Sequence, residues 1–187
     1  MRTGHEGRTL TYDVVRRLFY TFVDRNRNRS ESAVLLEQIS EPFVRAVDPR
    51  NLGMNKSDIA QIPPEKVINC GHGLVLAMTE DGVAMLKRHP KLLLLDATFG
   101  TNHSNYPLLL AVIPDERGQG YPVAMAASRH ENKNAYLAML TKLKEIVPSL
   151  ETELKYVSCD YAKEIIGAID SVFPEVERCG CALHFDM

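Results

Sequence analysis

The stretch "LLLLDATFG" (92–100) places four leucines directly before a carboxylate, Asp96. A short apolar run that is bounded by turn residues is typical of a buried β-strand. Because an unpaired charge inside a protein is costly, Asp96 must cap the strand end, pair with another group or bind a ligand. The run "LKYVSCD" (154–160) has the same form and ends in Asp160.

The segments around these two runs predict an α/β fold with a mixed sheet. Turn-rich pieces separate the first three apolar runs, and connections this short favour a three-stranded antiparallel meander. Apolar residues with helical spacing occur before and after the Asp160 strand, and a last apolar run follows the second of these segments. The predicted order is therefore β-β-β-α-β-α-β. The predicted strands are 91–100, 106–116, 120–131, 154–160 and 176–185, and the predicted helices are 132–148 and 162–174.

The predicted order can bring the two aspartates together. A helix between two strands of one sheet allows them to lie parallel, so the Asp160 strand can be the parallel neighbour of the Asp96 strand. Their carboxylates would then meet at the carboxyl edge of the sheet, where open α/β sheets bind ligands. The structural alternative stays open at this point, since Asp is also common at strand ends because it starts turns.

A pair of carboxylates suits one particular chemistry. Mg²⁺ takes oxygen ligands from one or two acids and keeps waters or substrate phosphates as its other ligands. Two such ions can activate the attacking oxygen and stabilise the leaving oxygen in phosphoryl transfer.

Residues 1–90 are predicted to form a mainly helical N-terminal region. "LTYDVVRRLFYTFVDR" (10–25) has the apolar periodicity of a helix. We expect this helix to pack on the sheet through Leu18, Phe19 and Phe22, because the stripe is too apolar to remain exposed.

The remainder of this region predicts a connector, a strand and a helix. The Pro, Gly, Asn and Ser content of 48–64 predicts a connector. The apolar run "GLVLAMT" (73–79) predicts a short strand. Thr79 predicts the N-cap of a helix that ends before Pro90. The α/β domain is therefore predicted to span 91–187.

Composition excludes several classes of protein. The formal net charge is −2, which gives no general basic field for nucleic acid. No signal peptide and no apolar run long enough to span a membrane is present in the sequence. The four cysteines do not resemble a secreted disulfide framework, so a reducing compartment, nucleus or cytoplasm, is expected.

Three blocks of the sequence resemble the catalytic domain of Mutator-like (MULE) DNA transposases. The first is "LLLLDATFGTNHSNYPLLLAVIPDERGQGYPVAMAAS" (92–128), with its Asp-Ala-Thr-Phe, Tyr-Pro and Gly-x-Pro-Val-Ala. The second is "VSCDYAKEIIGAI" (157–169), and the third is the Cys-x-x-His of "CALHF" (181–185). The blocks occur in the family's order and cover about half of the chain.

The resemblance implies an RNase H-like fold and a DDE-type active site. Asp96 would be the first catalytic and metal-binding acid and Asp160 the second, with Mg²⁺ or Mn²⁺ as the cofactor. The family's third acid, a Glu, lies well beyond the Cys-x-x-His, so it is expected beyond Met187 and the catalytic domain here is expected to be incomplete. The implied partner is DNA, both transposon ends and target, and a homo-oligomer is an open expectation.

Cys181 and His184 are candidate contacts with DNA or metal, because the Cys-x-x-His accompanies the family's active domain. Their spacing also suits zinc, with Cys179 nearby, but a structural zinc site needs four ligands. Structural packing is the favoured interpretation of these cysteines from the residues alone.

Two functions remain open from the sequence. The first is a transposase that cleaves and transfers DNA strands. The second is a domesticated descendant that binds DNA or protein without catalysis. Asp96 and Asp160 favour the first, since a binding module gains nothing from two acids that face phosphate.

Overall fold

The structure is a computed structural model that describes residues 44–50, 52, 54–100, 105–160 and 162–180. The strands are β1 Val44–Asp48, β2 Leu74–Ala77, β3 Leu92–Thr98, β4 Leu108–Pro114, β5 Gly120–Ser128, β6 Tyr156–Cys159 and β7 Glu177–Gly180. The helices are α1 Lys56–Ile59, α2 Glu80–Arg88, α3 Lys133–Ile146, α4 Leu150–Glu153 and α5 Lys163–Val172, with a 3₁₀ turn at Pro64–Lys66.

All seven described strands form one mixed sheet in the order β1-β2-β5-β4-β3-β6-β7. The pairs from β1 to β3 are antiparallel. The pairs β3–β6 and β6–β7 are parallel, and each needs the helical crossover that precedes its second strand. The predicted α/β class with a mixed sheet is therefore confirmed.

Local sequence signals account for most of the elements. The three predicted meander strands are β3, β4 and β5, paired antiparallel in chain order. Thr79 caps α2 by accepting a hydrogen bond from Gly82 N at 3.1 Å. Asn132 caps α3 in the same way through Ala135 N at 3.1 Å, and α3 ends two residues before Pro148.

Several short elements were not predicted. The one-turn helix α4 follows Pro148, α1 lies inside the stretch interpreted as a connector, the 3₁₀ turn begins at the end of that stretch, and β1 ends at its first residue, Asp48. Because β1 pairs with β2 and β2 pairs with β5, the described strands on both sides of residue 90 belong to one continuous sheet. The helix predicted at 10–25, with its contacts through Leu18, Phe19 and Phe22, lies outside the described residues.

The main core lies between the sheet and the helices α3 and α5. Leu93 and Leu95 of β3 are buried there together with Leu140 and Leu143 of α3 and Ile169 of α5. This burial fixes which face of β3 points inward, and the alternation of a strand then assigns the other residues to the opposite face. In the part of the chain that the structure describes, no helix is long and apolar enough to cross a membrane.

Candidate functional site

Strands β3 and β6 are adjacent and parallel, as the sequence predicts, and Asp96 lies within β3 near its carboxyl end. In the β3–β6 register, Leu92 lies opposite Tyr156 and Leu94 opposite Ser158. Continued by two residues, the same register sets Asp96 opposite Asp160, which directly follows β6. Neighbouring strands are about 4.8 Å apart, and parallel strands have their carboxyl ends at the same edge of a sheet. The two acids therefore lie at that edge.

Both aspartates also lie on the same side of their strands. Leu93 and Leu95 of β3 are buried, and so are Val157 and Cys159 of β6. Asp96 is exposed and Asp160 is half-buried. Because side chains alternate along a strand, both carboxylates belong to the side opposite these buried residues.

Each carboxylate makes one local backbone contact. Asp96 Oδ1 accepts a hydrogen bond from Ala97 N at 2.9 Å, and Asp160 Oδ1 accepts one from Ala162 N at 3.3 Å. Ala162 is the N-cap of α5, so Asp160 lies at the positive end of that helix dipole. A carboxylate has about four acceptor positions, so the contact described for each side chain uses only part of its acceptor capacity.

The donor set at this edge suits a hard divalent cation. Carboxylate oxygens are the ligands that Mg²⁺ prefers, and one or two acids suffice when waters and substrate phosphates supply the rest. Within the described ranges, no three His, Cys, Asp or Glu side chains converge closely enough to hold a metal ion. The residues therefore fit a partial, two-acid site and not a complete protein cage.

A second polar group lies at the same edge of the sheet, around Asp48 at the end of β1. Asp48 is fully buried and accepts hydrogen bonds from Arg50 Nε at 2.9 Å, Arg50 Nη2 at 2.6 Å and Cys70 N at 2.9 Å. Burial alone would raise the pKa of Asp48, but the bonds from Arg50 and Cys70 outweigh it and lower the pKa to about 2. Burial raises the pKa of the Cys70 thiol to about 12, so this cysteine is not a reactive nucleophile.

His72 extends this group toward β5. Its Nε2 lies 3.0 Å from Ser128 Oγ, which itself donates to the carbonyl oxygen of His130 at 2.8 Å. Since the hydroxyl proton of Ser128 is already used, His72 Nε2 is the donor and Ser128 is not an activated nucleophile. Asp48 and Ser128 are distant in the chain from Cys70 and His72, so no local sequence signal indicates these contacts.

A cleft of about 440 Å³ lies beside this group, between residues 68–71 and the helix α3. Its described lining includes Asn69, Cys70, Asn134 and Lys142, and does not include Asp96 or Asp160. The cleft is therefore distinct from the edge that carries the two acids.

The remaining predicted site residues have different outcomes. Cys181 and His184 lie outside the described residues, so their roles stay predictions. Cys159 is buried in the main core, and Cys179 is half-buried with a free thiol. The burial of Cys159 agrees with a packing role.

Comparison with known proteins identifies the family. No curated protein matches the chain. The family model described as "MULE transposase domain" matches residues 92–187, about half of the chain, and the match includes Asp96 and Asp160. The chain therefore belongs to the family of proteins that carry a MULE transposase domain.

Proposed function

We propose that the chain is an RNase H-like DNA transposase, or part of one, that performs metal-dependent cleavage and transfer of DNA strands. Asp96 and Asp160 are its first two catalytic acids. The observation that carries the proposal is their common position two residues past the last paired residues of β3 and β6, on one side of the sheet. Membership of the MULE family supports the reaction and makes DNA the expected partner.

The two acids have complementary roles in this proposal. Asp96, within β3, and Asp160, just before α5, would together hold a divalent cation. When bound, a divalent cation such as Mg²⁺ or Mn²⁺ activates the attacking oxygen and stabilises the leaving one. The protein contributes position, because phosphoryl transfer depends almost entirely on positioning and electrostatics. We place this reaction in the nucleus, with the cytoplasm as the alternative.

A metal-binding and nicking assay tests the proposal. Residues 1–187 are expected to bind Mn²⁺ weakly and to nick supercoiled plasmid inefficiently, since two acids fix only one ion. A longer chain with a glutamate beyond Cys181 and His184 is expected to nick, and Asp160→Asn is expected to abolish this while the fold is retained. The substitution preserves shape and removes the charge that holds the metal.

Asp170→Asn is the matched control, because Asp170 is exposed on α5 and pairs with Arg178 at the surface. It should leave nicking unchanged. Nicking that survives Asp160→Asn would show that the site lies elsewhere. A chain that binds DNA but never cleaves it, in any extended form, would favour the non-catalytic regulator.

A further inference from the structure

Glu131 belongs to the same edge of the sheet as the two aspartates. The pairs β3–β4 and β4–β5 are both antiparallel, so the carboxyl ends of β3 and β5 share an edge, with Thr98 opposite Leu108 and Leu108 opposite Ala127. Glu131 follows the end of β5 by three residues and is half-buried. Glu131 directly precedes Asn132, the N-cap of α3.

The side chain of Glu131 is held by a buried tyrosine. Tyr136 is fully buried in the first turn of α3, and its hydroxyl donates to Glu131 Oε1 at 2.8 Å. Helix α3 packs along α5, whose start directly follows the Asp160 strand. Both helices start at the carboxyl edge of the sheet, α3 after β5 and α5 after β6.

Electrostatics agree with this placement. Burial raises the pKa of Tyr136 far above its usual range, and so do its bond to Glu131 and the negative charges of Glu131, Asp160 and Asp96. Tyr136 thus remains a protonated donor at any physiological pH. The negative charges of all three acids act on this one hydroxyl, in agreement with the sheet edge that β3, β5 and β6 share.

We propose that Tyr136 is a positioning residue that holds Glu131 as a third carboxylate beside Asp96 and Asp160, where Glu131 strengthens binding of a divalent cation through metal-bound water. The inference rests on the proposed function. Direct ligation by all three acids does not fit, because no three such side chains of the described residues converge on one point. Mg²⁺ and Mn²⁺ sites can retain waters, and an outer carboxylate can accept hydrogen bonds from them.

A purely structural interpretation competes with this proposal. A buried tyrosine hydroxyl needs a hydrogen-bond partner, and Glu131 could serve only that need. The two interpretations differ in what they predict for metal affinity, since a structural partner would affect stability alone.

The test is a titration of the full 187-residue chain with Mn²⁺, followed by the electron paramagnetic resonance of the free ion. Glu131→Gln keeps an acceptor for Tyr136 but removes the charge, and it should weaken Mn²⁺ affinity about tenfold. Tyr136→Phe keeps all three carboxylate groups but removes the hydroxyl that holds Glu131. A smaller loss of Mn²⁺ affinity in this variant would therefore come from positioning alone. Glu145→Gln, in the last turn of α3, removes the same charge far from the site and should have no effect.

Thermal unfolding without metal shows whether each variant folds. Should Tyr136→Phe fail to fold, Glu131→Gln against Glu145→Gln decides the question. Equal Mn²⁺ affinity for those two variants would overturn the inference, and the proposed function would still stand if Asp96→Asn and Asp160→Asn each weaken binding. If these two aspartate variants also bind as tightly as the wild type, both the inference and the proposed function are wrong.

Discussion

At Asp48 the chain buries a carboxylate without leaving it unpaired. Five hydrogen bonds from Arg50 and Cys70 reach its two oxygens, three from Arg50 and two from Cys70. These partners offset the cost of removing the carboxylate from water, and the loss of one of them would be strongly destabilising. The loop 69–72 is therefore tied to the end of β1 by polar contacts as well as by packing.

Replacing Asp48 by Asn should lower the free energy of unfolding by about 1–3 kcal/mol at pH 7, because Arg50 loses its charged partner and acceptor. The pKa of Asp48 is lowered from 3.8 to about 2, so the folded state favours the ionised form. The contribution of the ionised Asp48 to the free energy of unfolding is complete above about pH 4 and is lost as the pH falls toward 2. Urea unfolding of both proteins across this range should show the difference shrinking.

Asp170→Asn provides the reference for this experiment. Its exposed ion pair with Arg178 should contribute less than about 1 kcal/mol. A difference between wild type and Asp48→Asn that does not change between pH 4 and pH 2 would contradict the assigned role of the charge.

Among the elements, α2 shows how packing can override helix propensity. Gly82 lies in its first turn, where a Cβ atom would come 2.8 Å from the backbone oxygen of Val123 on β5. This contact explains a glycine at a position where propensity alone favours alanine. The absence of a side chain at Gly82 thus allows the first turn of α2 to pack closely on β5.

Gly82→Ala should therefore destabilise the protein by about 1–3 kcal/mol, despite a propensity gain of about 1 kcal/mol. Gly167→Ala in α5 is the matched substitution. Its Cβ would meet only the flexible end of Lys133, at 3.2–3.4 Å, so this variant should be as stable as the wild type or up to about 1 kcal/mol more stable. Chemical denaturation measures both, and a stabilising Gly82→Ala would disprove the close contact.

For the whole molecule, the seven-stranded sheet makes residues before 91 part of the α/β unit. Strands β1 and β2 cover the outer edge of β5, and α2 covers its first half through Val123. A fragment of residues 91–187 would expose this edge and the apolar residues beneath it, which favours aggregation. Residues 44–187 keep all seven strands.

We expect the 91–187 fragment to be insoluble or to lack a cooperative transition, whereas 44–187 should unfold cooperatively. Circular dichroism during heating distinguishes the two results. A 91–187 fragment that unfolds at the same temperature as the longer one would show that the sheet domain is independent of β1, β2 and α2.

Much of this architecture could be predicted because its signals are local. Asn132 and Thr79 mark helix starts by satisfying free backbone N–H groups, and Pro148 ends α3 because it cannot continue the hydrogen-bond ladder. The apolar runs before Asp96 and Asp160 identified β3 and β6. The helix between them allowed a parallel pair, and the structure confirms that the two strands are adjacent.

Tertiary structure alone decided which distant groups meet. β1 joins the sheet although nothing in its short sequence distinguishes it from a connector, because its strand conformation is stabilised by pairing with β2. The contacts Asp48–Cys70, His72–Ser128 and Tyr136–Glu131 likewise depend on where chain segments are brought together. Local patterns determine the elements, since they reflect backbone hydrogen bonding and alternating burial. The choice of partner for a buried polar group depends on the pairing of whole elements, which no short stretch of sequence encodes.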